Sequence, residues 1–178
     1  MNVLVFGGAG SGKSAFAEQY ACTLPGRRVY VATMANSGRE AQERIDKHLR
    51  QRDGMGFETV ECHASLDQAF VHVKKQDVIL LDDLGNLAAD ALFSPDGLMA
   101  DPKQTLQRLA DEVFSLADAS AHLVVVGNDV GGAGLTGFRG TDTWITLMGS
   151  LCCQLAARFD VVVEVVSGIP YTVKGSLA

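Results

Sequence analysis

No stretch of this sequence reaches the roughly 18 consecutive apolar residues that a membrane-spanning helix needs, so no such span is expected. Cysteine is sparse. Cys22, Cys62, Cys152 and Cys153 show no Cys-x-x-Cys spacing, and chain neighbours such as the last two seldom form a disulfide. Basic residues are the minority: 15 Lys and Arg face 21 Asp and Glu, a formal charge of −6. That balance argues against a nucleic-acid partner, which would call for a basic stripe. It leaves open the binding of one nucleotide, which backbone N–H groups can accomplish. The opening Met-Asn-Val-Leu-Val-Phe-Gly-Gly lacks the basic and long apolar regions of a secretory leader. The expectation is a cytoplasmic protein with reduced thiols.

No internal repeat, low-complexity tract or linker interrupts the 178 residues, of which 47% are apolar. This length and composition suit one domain, 1–178, with a core that needs no staples. Short runs rich in Val, Ile and Leu recur at Asn2–Phe6, Arg28–Thr33, Val78–Asp82, His122–Gly127 and Val161–Val166. Continuous apolar character over so few residues predicts strands of a parallel sheet covered on both faces. Helical periods lie between them. Ser14–Leu24 places Phe16, Ala17, Tyr20 and Ala21 on one face before Pro25-Gly26 stops it. Arg39–Arg52 is highly charged and reads as a mostly solvated helix. Ser65-Leu-Asp-Gln68 has a capping-box pattern. Asp101-Pro102 sets an N-cap before a proline at the first helical position, ahead of Leu106, Leu109, Val113 and Leu116. Thr141 is a candidate cap for a helix through Phe159. The end reads as strand Val161–Val166, a Ser-Gly-Ile-Pro turn and an antiparallel strand Tyr171–Lys174. The expected fold class is a three-layer α/β P-loop NTPase of the RecA-like kind, mostly parallel with an antiparallel C-terminal strand.

The strongest chemical signal is Gly7-Gly8-Ala9-Gly10-Ser11-Gly12-Lys13-Ser14, a G-x-x-x-x-G-K-[ST] loop between the first strand and the first helix. Its glycines let successive N–H groups turn inward toward phosphate oxygens, and the following helix aims its positive end at the same place. Lys13 can reach the β- and γ-phosphates, and the Ser14 hydroxyl can ligate Mg²⁺. Val78-Ile-Leu-Leu-Asp82-Asp83 is an apolar strand ending in carboxylates, the usual place for the acid that holds Mg²⁺ through water. Asp82 is the better candidate and Asp83 its neighbour.

Together these motifs resemble the bifunctional adenosylcobinamide kinase / adenosylcobinamide-phosphate guanylyltransferase family of cobalamin biosynthesis. The resemblance rests on the P-loop with two leading glycines, Val-Ala-Thr at 31–33, Arg44-Ile45-x-x-His48 and Phe57-Glu-Thr-Val-Glu61. It extends to Asn128-Asp129-Val130-Gly131, Val166-Ser-Gly-Ile-Pro170 and Lys174. It implies GTP and ATP as substrates with Mg²⁺, adenosylcobinamide as the small-molecule partner, and a homo-oligomer, a trimer in the family. It further implies that Thr33 and Glu61 belong to the nucleotide site, and that His48 receives GMP from GTP. By residue type alone, His48 would be an ordinary exposed histidine on a charged helix. The chain departs from the family pattern at Gly10 (Arg in the family), at Asp83-Leu84-Gly85 (Cys-Leu-Thr), at Gly131-Gly132-Ala133 (Gly-x-Gly), and at Thr136 (proline). Two further departures are Ile145-Thr146 (Arg-Asp) and Cys152-Cys153 (Asn-Gln). Two alternatives therefore stand beside the transferase reading: a relative that binds nucleotide without transfer, and another P-loop small-molecule kinase. His63, His72, His122 and Cys62 read as structural, and Cys152 and Cys153 as buried small apolar residues.

Overall fold

The computed structural model describes residues 1–34, 50, 52–94, 96–130 and 134–177. Seven strands form one sheet: β1 (Asn2–Gly7), β2 (Arg28–Ala32), β3 (Phe57–Glu61), β4 (Val78–Asp82), β5 (His122–Asn128), β6 (Val161–Val166) and β7 (Ile169–Lys174). Their order is β3-β2-β4-β5-β1-β6-β7, with every pairing parallel except β6–β7. The helices are α1 (Lys13–Thr23), α2 (Asp67–His72), α3 (Leu84–Leu92), α4 (Pro102–Ala119) and α5 (Arg139–Arg158). The result is the expected three-layer α/β fold.

Side-chain alternation assigns the two faces. Val3, Val5, Tyr30, Val78, Leu80, Val124, Val126, Val161, Val163 and Val165 pack with Ala17, Tyr20 and Ala21 of α1. Leu4, Val29, Val31, Ile79, Leu81, Leu123 and Val125 face the opposite way, against α2, α3, α4 and α5. Both faces of β1, β2, β4, β5 and β6 are covered, so these five strands carry no polar alternation.

Several boundaries differ from the sequence expectation. The charged segment Arg39–Arg52 lies outside the described residues except for Arg50 and Arg52; Arg52 is buried. The capping box at Ser65 does not form. Ser65 Oγ bonds to Asp67 Oδ2, Leu66 is the N-cap, and its N–H donates to Glu112 Oε2 at 2.9 Å, so a tertiary carboxylate from α4 replaces the local cap. Helix α5 begins at Arg139, two residues before Thr141, with no side-chain cap bond. Phe57–Glu61 and Leu84–Leu92 are elements that no long apolar run or capping-box motif in the sequence announces. The first is an edge strand of mixed polarity, and the second is a nine-residue helix rich in Leu and Ala that Asp83 caps. Cys153 is exposed rather than buried, whereas Cys152 packs against the core.

The α4 start is as expected: Asp101 Oδ1 accepts from Gln104 N at 2.8 Å with Pro102 in the first turn. The C-terminal hairpin turns within Ser167-Gly168 alone, since Val166 already pairs with Ile169. Strand β7 also closes the far end of α5. Lys174 Nζ donates to the carbonyls of Ala156, Ala157 and Phe159 at 2.9, 3.1 and 2.7 Å, satisfying oxygens that the helix end leaves open. Lys174→Met is expected to lower stability by about 1–2 kcal/mol, read as a lower urea midpoint with an unchanged slope.

Candidate active site

The loop Gly7–Ser14 leaves the end of β1 and curls back on itself. Ser11 N donates to Gly8 O at 3.2 Å, and Gly10 and Gly12 take positive φ of 70° and 90°, a region glycine enters without strain. Gly7 is confined for a different reason: a Cβ there would lie 2.5 Å from Val165 O and 2.7 Å from Ser11 Oγ. Two flanking connections hold the loop. Asp129 N donates to Gly7 O at 2.9 Å, and Gly168 N in the hairpin turn donates to Ser11 O at 2.7 Å. Gly8, Ala9, Gly10 and Gly12 remain exposed, so the concave side is open. Lys13 is buried to 8% exposure and crosses the loop, its Nζ donating to Gly8 O at 3.2 Å.

Asp82 ends β4 on the face it shares with Val78 and Leu80, the face of α1. Its Oδ1 accepts from Ser14 Oγ at 3.3 Å and its Oδ2 from Tyr30 Oη at 3.0 Å. Asp83 turns to the other face and is engaged there. Its Oδ1 caps α3 by accepting from Asn86 N at 2.8 Å, and its Oδ2 accepts from Asn128 Nδ2 at 3.3 Å. Of the two carboxylates that end this strand, Asp82 is the one beside the P-loop helix. Its pairing with the Ser14 hydroxyl sets two hard oxygen donors side by side, which fits Mg²⁺ when phosphate oxygens and water supply the remaining positions. Among the described residues no group of three or more His, Cys, Asp or Glu could hold a metal ion.

Thr33 and Glu61 are placed differently. Thr33 is buried and exchanges two hydrogen bonds with the Asp83 backbone: its Oγ1 donates to Asp83 O at 2.7 Å and accepts from Asp83 N at 2.9 Å. Glu61 is exposed on edge strand β3, level with Ala32. Four inter-strand steps separate β3 from β1, about 19 Å at the usual strand spacing. The described part of the structure therefore groups Lys13, Ser14 and Asp82 and leaves Glu61 apart. His48, Arg44 and Ile45 lie outside the described residues.

Four side chains that belong to no sequence motif, Tyr30, Arg52, Glu18 and Trp144, surround Asp82 and its neighbour. Tyr30 is 4% exposed, and burial, reinforced by the Asp82 carboxylate, raises its phenol far above the usual range, so it stays a donor. The Arg52 guanidinium carbon lies 3.3 Å from the Tyr30 ring centroid. Glu18, one turn beyond Ser14, is 1% exposed. Burial pushes its carboxyl up to about 7, with Arg52 opposing the rise and Asp82 adding to it. Among the described residues, Glu18 Oε1 and Arg52 Nη1 have no hydrogen-bond partner. Trp144 Nε1 donates to Gly85 O at 3.1 Å, and a Cβ on Gly85 would run into Asn128 Nδ2. The only signal for any of these in the sequence was the position of Tyr30 inside an apolar strand, where a phenol needs a partner.

Of the remaining titratable groups, His63 stands 4.0 Å from Asp90, and His122 is held below its usual value by burial and then by the N-terminal charge. Cys152 is pushed up to about 11, first by burial and then by Cys153 and Asp129, which suits a packing role. No helix of the described residues is long and apolar enough to cross a membrane.

The fold is similar to that of an ATPase from the type III secretion system of pathogenic bacteria. The TM-score is 0.54 at 12% sequence identity, over 92% of this chain, and the chain spans 50% of that structure's length. The chain is 32% identical over 184 residues to the bifunctional adenosylcobalamin biosynthesis protein CobU of Salmonella typhimurium, covering 98% of this chain and 100% of the relative. It is likewise 32% identical over 185 residues to the protein of that name from Escherichia coli, with the same coverage. The model of the cobinamide kinase / cobinamide phosphate guanyltransferase family matches residues 3–173, from β1 through β7. With a P-loop, its partner carboxylate and nearly the whole length matched together, this chain belongs to that family.

Proposed function

We propose that this chain phosphorylates adenosylcobinamide with a nucleoside triphosphate and then transfers GMP from GTP to adenosylcobinamide phosphate. It would do so as one cytoplasmic P-loop domain, 1–178, that assembles into a homo-oligomer as its family resemblance implies. The observation that carries this reading is the juxtaposition of Lys13, Ser14 and Asp82 at the open side of a glycine loop, in a chain of this family.

In the first reaction the substrate hydroxyl oxygen attacks the γ-phosphorus, its bond to the β–γ bridging oxygen breaks, and the nucleoside diphosphate leaves as the hydroxyl proton is released. The P-loop N–H groups and Lys13 supply positioning and positive charge where negative charge grows on the phosphoryl oxygens. Ser14 and Asp82 would hold Mg²⁺, which when bound neutralises charge across the β- and γ-phosphates. In the second reaction neutral His48 attacks the α-phosphorus of GTP, forming an N–P bond as pyrophosphate leaves. The phosphate oxygen of adenosylcobinamide phosphate then attacks the same phosphorus, the N–P bond breaks and the imidazole is regenerated. The second reading, nucleotide binding without transfer, is favoured by one observation. At the position where the family carries an Arg-Asp pair stand Ile145 and Thr146, and the Thr146 hydroxyl is turned into its own helix, donating to Asp142 O at 2.8 Å.

Calorimetry on Lys13→Ala is expected to show GTP affinity reduced roughly ten- to a hundred-fold, the loss of a charge-assisted contact of about 1.5–3 kcal/mol. Unchanged affinity would remove the P-loop assignment. Asp82→Asn is expected to fold normally and to lose most of the Mg²⁺-dependent part of nucleotide affinity. Asp83→Asn, whose side-chain oxygen can still cap α3, is expected instead to leave both stability and Mg²⁺ dependence nearly unchanged. The reverse pattern would make Asp83 the metal-site acid. Incubation with α-labelled GTP and Mg²⁺ is expected to label the protein through a bond lost in acid and kept in base. His48→Ala should abolish the label while retaining GTP binding. An unlabelled, GTP-binding wild type would favour the second reading, and label persisting in His48→Ala would place the nucleophile elsewhere.

A further inference from the structure

Among the described residues, hydroxyl groups from two different elements hold the Asp82 carboxylate, one from the phosphate loop and one from outside it. Ser14 Oγ takes Oδ1, and Tyr30 Oη takes Oδ2 from the adjacent strand β2. The terminal torsion of an aspartate is broad and nearly two-fold, so a carboxylate at a strand end needs a second contact to hold one orientation. Tyr30 supplies it from a rigid seat. Its ring meets Phe57 edge to face, centroids 6.2 Å apart at 79°, and Arg52 covers the ring at 3.3 Å. Tyr30, Asp82 and Arg52 are all 8% exposed or less, and the Arg52 charge opposes the upward shift of the buried Glu18 carboxyl. In such a setting a hydrogen bond to a carboxylate is stronger than on a wet surface.

We propose that Tyr30 is a positioning residue for the phosphate-site metal: its phenol fixes one oxygen of Asp82 so that the other faces Ser14, and Arg52 holds the Tyr30 ring in place. This rests on the proposed nucleotide role of the loop and of Asp82. Tyr30 acts only through Asp82, so its effect should vanish when that carboxylate is gone.

The test is a calorimetric titration with GTP, in Mg²⁺ and in EDTA, on wild type, Tyr30→Phe, Asp82→Asn and the double variant. Thermal unfolding in EDTA monitors the fold of each. Tyr30→Phe keeps the ring under Arg52 and removes only the hydroxyl. It is expected to bind GTP in EDTA as wild type does and to lose about tenfold of the affinity gained from Mg²⁺, the scale of one hydrogen bond to a charged group. Added to Asp82→Asn, it should cause no further loss. Arg52→Lys, which keeps the charge and loses the flat stacking group, should reduce the same gain by a smaller factor. Wild-type Mg²⁺ dependence in Tyr30→Phe, equal losses with and without Mg²⁺, or full additivity with Asp82→Asn would each overturn the inference. An unaltered gain in Arg52→Lys would overturn the part assigned to Arg52. A wild type whose GTP affinity does not respond to Mg²⁺ at all would overturn the Asp82 reading as well, which separates the two failures.

Discussion

The alternation of β4 governs the site. All five of its residues are buried, with one face against α1 and the other against α3 and its neighbours. Its last residue, Asp82, stays on the α1 face that Val78 and Leu80 share, whereas Asp83 follows the strand as the N-cap of α3, so the two carboxylates serve different elements. Asp82 falls beneath the P-loop helix and Asp83 at the start of α3. Burying Asp82 to 8% exposure then demands hydrogen-bond partners and a compensating charge. Ser14 and Tyr30 supply hydroxyl partners from two separate parts of the chain, and Arg52 stacks on the Tyr30 ring behind them.

The phosphate loop depends on the opposite edge of the sheet as much as on its own glycines. Gly168 N, in the β6–β7 turn, holds Ser11 O, and the Val165 carbonyl lies close enough to exclude any side chain at Gly7. The antiparallel last strand thereby supports the loop at one end and, through Lys174, the C-terminus of α5 at the other. A tail that looks peripheral in the sequence is a structural buttress of the nucleotide site.

The departures from the family pattern after Asp82 form a connected group. Asp83 caps α3 and accepts from Asn128, Gly85 leaves the space that Asn128 fills, and Trp144 donates to the Gly85 carbonyl. A threonine at position 85 would collide with Asn128, so the glycine and the Asp83–Asn128 contact are mutually consistent. Cys152 similarly lies beneath Gly127, where a Cβ would stand 3.3 Å from its sulfur, and serves packing rather than polar chemistry.

By itself the sequence determined the elements that speak through local chemistry. The apolar runs of β1, β2, β4, β5 and β6, the Gly7–Ser14 loop before α1 and the Asp101-Pro102 start of α4 all follow from periodicity, glycine spacing and capping. Each depends on residues close together in the chain. The preference for Asp82 over Asp83 was also readable, although its reason, the face each one occupies, was not. Only the tertiary structure decided that Leu66 is capped by Glu112 across the molecule, and that Phe57–Glu61 is an edge strand. It also decided that Glu61 stands far from the loop while Tyr30 and Arg52 stand behind Asp82. These outcomes depend on strand order and on the burial of charge, and both are set by which distant segments pack together.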